Sequence, residues 1–141
     1  MQQITPQLFQ GNMEDALRNT CNSNVDIIIY LGQEIPTRLC FNCEPTCIHI
    51  PTNDGENKLS KLRDIVFLSY ILSNNGKKIL IACRAGISRS VLLTTSVFAL
   101  HQKINFDEAY KQIKEKIPQS QPELHLLQEM KQVTEELLCC I

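Results

Sequence analysis

Short apolar runs bounded by turn-forming residues indicate β-strands in the first part of this chain. Four segments have this pattern, at residues 4–11, 25–31, 47–50 and 79–82. The runs at 25–31 and 79–82 are almost entirely apolar, which is typical of strands buried on both faces of a mostly parallel sheet. Pro6 predicts a turn inside the first segment, and Pro51 closes the third.

Longer segments with apolar residues three and four positions apart predict helices between and after these strands. They span residues 13–19, 59–72, 90–100, 106–117 and 124–137. The helix at 90–100 is apolar around most of its circumference, so we expect it to be central. Strands early and helices late predict an α/β fold, with a mostly parallel central sheet flanked by helices and a helical cluster at the end.

The starts of the last two helices carry candidate caps. Asn105 with Glu108, and Ser120 with Glu123, have the spacing of capping pairs. The apolar face expected for the last helix consists of Leu124, Leu127, Met130, Val133 and Leu137.

Composition limits the class of protein. The chain has 141 residues, enough for one domain spanning 1–141, and its 43% hydrophobic content is that of a globular protein. A formal net charge of −1 gives no global attraction to nucleic acid, and no apolar run is long enough to cross a membrane. Glutamines interrupt the apolar residues near Met1, and the cysteines number 7, so we expect a reducing, cytoplasmic location.

The segment from Cys83 to Ser90 lies between a predicted strand and a predicted helix. Backbone N–H groups at a helix N-terminus lack intrahelical partners, so such a loop attracts anions. Gly86 allows the loop to curl so that several N–H groups converge on one phosphate. Arg89 adds a planar, charged fork that can bind two phosphate oxygens.

Cys83 is the candidate nucleophile at the floor of this loop. Helix N-termini and nearby cations favour the thiolate form of a cysteine, so one loop would both bind a phosphate and activate the group that attacks it. A cysteine six residues before an arginine is weak evidence alone. The alternative is a buried core cysteine in an ordinary strand-to-helix turn.

The sequence Cys83-Arg84-Ala85-Gly86-Ile87-Ser88-Arg89-Ser90 resembles the signature loop of the cysteine-dependent dual-specificity protein phosphatases, and the predicted element order agrees over nearly the whole chain. The resemblance implies a protein tyrosine phosphatase-like fold. It also implies hydrolysis of phosphotyrosine and phosphoserine/phosphothreonine in proteins through a cysteinyl-phosphate intermediate, without metal or cofactor. The residues it implies for phosphate binding are Arg84, Ala85, Gly86, Ile87, Ser88 and Arg89.

The resemblance also assigns two further catalytic residues. Asp54 matches the position of the family's general acid, and Ser90 matches the hydroxyl that stabilises the departing thiolate. Asp54 in an Asn-Asp-Gly sequence can instead be a turn residue, with Asp64 as a reserve acid, and Ser90 can be a helix cap. Ala82 departs from the family, which usually has His before the nucleophile, where it helps fix the loop and supports the thiolate.

Several other interpretations of the sequence remain open. A rhodanese-like sulfurtransferase, a phosphate-binding module without turnover, and a phosphatase of RNA 5′-phosphate or phosphoinositide are alternatives. The loop has no lysine between Cys83 and Arg89, which makes a phosphoinositide less favoured. The spacing of Cys40, Cys43, Cys47 and His49 would suit zinc, although ordinary intracellular thiols are the simpler interpretation. The sequence leaves the physiological substrate and the oligomeric state undetermined.

Overall fold

A five-stranded sheet forms the centre of the computed structural model, which describes residues 1–21, 24–34 and 45–141. The strands are β1 (Gln2–Thr5), β2 (Leu8–Gly11), β3 (Ile27–Tyr30), β4 (Thr46–His49) and β5 (Ile79–Ala82). Their order is β1-β2-β5-β3-β4, and every pairing is parallel except that of β1 with β2. The predicted mostly parallel α/β sheet is therefore confirmed.

Helices cover both faces of this sheet. They are α1 (Met13–Cys21), α2 (Leu59–Asn74), α3 (Arg89–Gln102), α4 (Phe106–Lys116) and α5 (Leu124–Leu138). Alternate residues of β5 separate two cores: Ile79 and Ile81 pack with the helical cluster, whereas Leu80 and Ala82 pack toward α1. Among the described residues, α3 contacts α2, α4 and α5 as well as β2 and β5, so the predicted central helix is confirmed.

The last helix begins at Leu124 as predicted, but the predicted capping pair is absent and the predicted apolar face is wrong at Leu124. Glu123 is the residue that precedes α5, and Ser120 makes no cap there. The N–H of Ser120 instead donates to the carbonyl of Ile117 at 3.0 Å, which turns the chain after α4. The helix also faces the core with Leu126, while Leu124 is 65% exposed.

The cap predicted for the preceding helix is present. The N–H of Glu108 donates to Oδ1 of Asn105 at 2.8 Å, which satisfies one of the free donors of the first turn of α4. Within the described ranges, no helix combines the length and apolar character needed to cross a bilayer.

Candidate active site

Cys83 lies where three parallel strands end at the same edge of the sheet. Because β2, β3 and β5 are in register, Gly11, Tyr30 and Ala82 all stand at this edge. Cys83 directly follows β5. It is 2% exposed and lines a cleft of about 260 Å³. The cleft is lined by Asp54, Cys83, Ala85, Ile87, Ser88, Arg89, Gln121 and Glu123. Ligand sites of open α/β sheets commonly occupy this edge.

Gly86 gives the loop its curled shape. Its φ of +74° lies in the left-handed region, which residues with a Cβ rarely adopt. A Cβ at this position would also lie 3.1 Å from the backbone of Gly11 and 3.0 Å from the side chain of Asn12. The N–H of Met13 donates to the carbonyl of Arg84 at 3.3 Å, so the loop is tied to the junction between β2 and α1.

Two groups of Ser90 lie against the sulfur of Cys83. The backbone N–H of Ser90 donates to Sγ at 3.4 Å, and the Ser90 hydroxyl lies 3.1 Å from the same atom. Ser90 is fully buried in the first turn of α3. Hydrogen-bond donors at a helix N-terminus favour negative charge, so this arrangement stabilises a thiolate.

Arg89 is held in place by carbonyl groups at the strand ends. Its Nη1 donates to the carbonyl of Thr52 at 3.2 Å and to that of Leu31 at 3.5 Å. The side chain is 17% exposed and lines the cleft. The guanidinium has five N–H donors, so these contacts fix its plane and leave other donors for an anion.

Asp54 lies on the other side of Arg89, with its side chain 58% exposed. Its Oδ1 is 3.9 Å from Nε of Arg89 and accepts a long hydrogen bond of 3.5 Å from the Ser88 hydroxyl. Asp64, the reserve candidate, is an exposed residue of α2 and does not line this cleft. The structure therefore brings Asp54, and not Asp64, to the cleft that holds Cys83.

The segment that carries Asp54 is fastened to α5. Both carboxylate oxygens of Glu129 accept from Asn57, Oε2 from its backbone N–H at 3.0 Å and Oε1 from its side chain at 3.1 Å. Asn57 in turn donates to the carbonyl of Asn53 at 3.0 Å. These contacts close a turn around Asp54 and explain how an exposed residue keeps its place.

The Ser88 hydroxyl links the loop to two neighbouring segments. It accepts from the N–H of Glu123 at 2.9 Å, which leaves its own proton for Asp54. The carbonyl of Ile87 accepts from the N–H of Gln121 at 2.8 Å. Arg84 is exposed on the loop, and neither Arg84 nor Gly86 lines the cleft, whereas the other four residues expected to bind phosphate do.

Tyr30 and Gln10 belong to the site, although neither was predicted from the sequence to be a site residue. Burial raises the pKa of Tyr30 above its ordinary value of 10.0, and the negative charge of Cys83 raises it further, while Arg89 and Arg84 oppose the shift. Its phenol is therefore uncharged at neutral pH. Gln10, in β2, donates to the carbonyl of Gly86 and to the hydroxyl of Ser90, both at 2.8 Å.

The candidate zinc ligands are only partly covered by the structure. Cys40 and Cys43 lie outside the described residues. Cys47 and His49 belong to β4, where Nε2 of His49 lies 2.6 Å from the carbonyl of Gly32. Across residues 1–21, 24–34 and 45–141, no three side chains of His, Cys, Asp or Glu form a group suited to a metal ion.

Comparison with known proteins extends over most of the chain. The family described as dual specificity phosphatase, catalytic domain, matches residues 8–136. Tyrosine-protein phosphatase vhp-1 of Caenorhabditis elegans is 33% identical over 128 residues, and human dual specificity protein phosphatase 16 is 28% identical over 129. Each alignment covers 88% of this chain but only 20% and 19% of the relative, so the chain spans about a fifth of their length.

A solved structure shows the same fold. The crystal structure of human DUSP28 superposes with a TM-score of 0.79 and covers 100% of both chains at 18% identity. This likeness supports the protein tyrosine phosphatase-like architecture seen here.

Proposed function

This chain belongs to the dual specificity phosphatase family, and from that premise we propose that it hydrolyses phosphotyrosine and phosphoserine/phosphothreonine in proteins through a cysteinyl-phosphate intermediate. The observation that carries the proposal is the placement of Cys83 on the floor of a cleft that Arg89 and Asp54 also line. A nucleophile, an anion-binding cation and a proton donor are the three groups that this reaction needs.

In the first step the phosphate binds to the loop amides and Arg89. The thiolate of Cys83 attacks phosphorus, a sulfur–phosphorus bond forms, and the bond to the tyrosine, serine or threonine oxygen breaks. That oxygen takes the proton of Asp54 as it leaves. The product of this step is a phosphorylated Cys83, with Asp54 ionised.

In the second step a water molecule attacks the phosphocysteine. The Asp54 carboxylate takes a proton from this water, the sulfur–phosphorus bond breaks, and inorganic phosphate forms. The hydroxyl of Ser90, 3.1 Å from the sulfur, donates to the thiolate as it departs. Asp54 is again protonated and Cys83 is again a thiolate, so the cycle closes without a metal or cofactor.

The charges around the cleft support a protein substrate over a polyanion. Besides the proton donor Asp54, the residues that line the cleft include the carboxylate of Glu123, and Arg89 is the cation among them. Carboxylates beside the phosphate site repel additional phosphate groups, so a phosphoinositide or a triphosphorylated RNA meets a less favourable field than a phosphopeptide.

A substrate panel tests this proposal. Phosphate release is measured with phosphotyrosine, phosphoserine and phosphothreonine peptides, a phosphoinositide and a triphosphorylated RNA, each with the wild type and Cys83→Ser. We expect turnover of the phosphopeptides that Cys83→Ser abolishes. Faster turnover of the lipid or RNA would overturn the substrate class, and phosphate binding without any turnover would favour a binding module.

We also propose that residues 1–141 act as one catalytic domain in a reducing compartment such as the cytoplasm. The physical reason is that a nucleophilic thiol loses activity when it is oxidised.

A further inference from the structure

Gln10 is a buried polar residue in β2 that reaches the phosphate loop from the sheet. It is 3% exposed, and its neighbour on the same face of the strand, Leu8, is fully buried. Its Nε2 lies 2.8 Å from the carbonyl of Gly86 and 2.8 Å from Oγ of Ser90. A polar side chain in such a position is costly unless its hydrogen bonds are made, so these contacts define its orientation.

The carbonyl of Gly86 decides which end of the Gln10 amide faces the loop. A carbonyl oxygen only accepts, so the atom 2.8 Å from it must be the NH₂ group of Gln10 and not its oxygen. The same NH₂ group has a second hydrogen, and it points to Ser90 because the contact to Ser90 at 2.8 Å is shorter than that to the carbonyl of Gly11 at 3.4 Å. The Ser90 oxygen is therefore an acceptor toward Gln10.

This leaves the single proton of the Ser90 hydroxyl for Cys83. Other hydroxyls in these helices donate to the carbonyl four residues earlier, as Ser69, Ser73 and Thr95 do. For Ser90 that carbonyl belongs to Gly86, but among the described residues the Ser90 hydroxyl makes no hydrogen bond to it, and its contacts are Nε2 of Gln10 and the sulfur of Cys83. The Ser90 proton is thus directed to the sulfur 3.1 Å away.

We propose that Gln10 is a positioning residue that acts through Ser90, by aiming its hydroxyl proton at the sulfur of Cys83. For turnover this inference rests on the proposed function, because the aimed proton assists the departing thiolate in the second step. Gln10 pairs with Ile81 and so shares its face of the sheet, opposite Ala82. Gln10 therefore supports the loop and the thiolate from one face of the sheet. It does not occupy the space beside the Ala82 side chain, which lies on the other face.

The first test measures alkylation of Cys83 by iodoacetamide, which needs no substrate. We compare the wild type with Gln10→Met, which keeps the length but removes both donors, and use Gln2→Met on the neighbouring strand as the matched control. We expect Gln10→Met to slow alkylation about tenfold at about pH 6, because the sulfur loses the hydroxyl proton aimed at it, and less at about pH 9. An unchanged rate at the lower pH would overturn the proposal.

The charged and titratable groups that surround the sulfur stay the same in these variants. They are Tyr30 of β3, Arg84 of the loop, Arg89 of α3, and Asp54 and Glu123 across the cleft. A change in alkylation therefore reports the hydrogen bonds of Gln10 and not a new charge.

A double-mutant cycle separates positioning through Ser90 from general loosening of the loop. In a Ser90→Ala background, Gln10→Met should have no further effect on alkylation, because there is no hydroxyl left to aim. The same loss in both backgrounds would contradict the proposal. If Gln10→Met does not fold, Gln10→Leu serves instead, since an uncharged leucine side chain has no hydrogen to donate to Gly86 or Ser90; it should also slow alkylation at the lower pH.

Turnover of an aryl phosphate distinguishes failure of this inference from failure of the proposed function. We expect Gln10→Met to slow phosphoenzyme breakdown while phosphoenzyme formation continues, so a burst of phenol release appears. No turnover by the wild type would reject the proposed function and leave the alkylation result valid. Normal wild-type turnover with equal breakdown rates in the two proteins would reject the role of Gln10 alone.

Discussion

The Nε of Arg89 lies 3.9 Å from Oδ1 of Asp54, so the cation that would bind the phosphate and the acid that would protonate the leaving group are neighbours. This proximity fits a reaction in which both act on one phosphoryl group. Because the two residues have different chemical roles, substitutions at the two positions should have distinct kinetic effects.

Asp54→Asn should lower kcat about 10²–10⁴-fold for a phosphopeptide, because the leaving oxygen loses its proton donor. An aryl phosphate with a very good leaving group needs no proton and should lose much less. The comparison of kcat for the two substrates checks this. Equal activity of variant and wild type on both substrates would make Asp54 a turn residue only.

Arg89→Lys should lower kcat/KM about 10²-fold, because an ammonium cannot reproduce the planar fork that grips two oxygens. It also loses the contacts to the carbonyls of Thr52 and Leu31 that fix the side chain. Inhibition by inorganic phosphate, measured in parallel, should weaken. Arg84→Lys is the control, since Arg84 is exposed outside the cleft and its exchange should change little.

Glu129→Ala tests whether the anchor on α5 holds the acid in place. Without the contacts to Asn57 we expect roughly tenfold lower kcat for a phosphopeptide and almost no change for a substrate with a very good leaving group. Glu135→Ala is the matched control, because Glu135 of the same helix accepts from the N–H of Phe106 at the start of α4. Similar losses in both variants would assign Glu129 a purely structural role.

His101 makes stability depend on pH. Burial lowers its pKa from the ordinary value of 6.5, so the unfolded chain takes up a proton more readily than the folded one. The contribution of His101 is fully present above that value and is lost as the pH falls through the folded pKa. Urea unfolding at about pH 7.5 and about pH 5 should show a smaller loss for His101→Gln than for the wild type, with exposed His125→Gln as control.

The sequence predicted the strands and the central helix well because their apolar runs match burial in the sheet and between helices. The cap of α5 was mispredicted because Ser120 and Glu123 have the spacing of a capping pair, but the chain there bonds to Ile117 and to the phosphate loop. Those contacts join distant parts of the chain, and local spacing cannot reveal them.

The chemistry of the loop could be predicted from its residues, whereas its supports could not. The position of Gln10 in its strand could have indicated its role. Strand alternation places Gln10 on the same face as Leu8, so a polar residue stands at a core position. Its partners Gly86 and Ser90 are more than seventy residues away in sequence, as the hydrogen bonds show. The two residues of the anchor, Glu129 and Asn57, are also far apart, with a sequence separation of 72.

The central claim is that Cys83 carries the phosphoryl group between two chemical steps. The direct measurement is mass spectrometry of the peptide containing Cys83, after acid quench of the full chain during turnover of an aryl phosphate. Ser90→Ala is used beside the wild type, because slower breakdown should make the intermediate accumulate. We predict a mass increase of one phosphoryl group on Cys83, larger in Ser90→Ala and absent in Cys83→Ser. Turnover that persists in Cys83→Ser, or that proceeds with no phosphoryl group on Cys83 in either of the other proteins, would contradict the account.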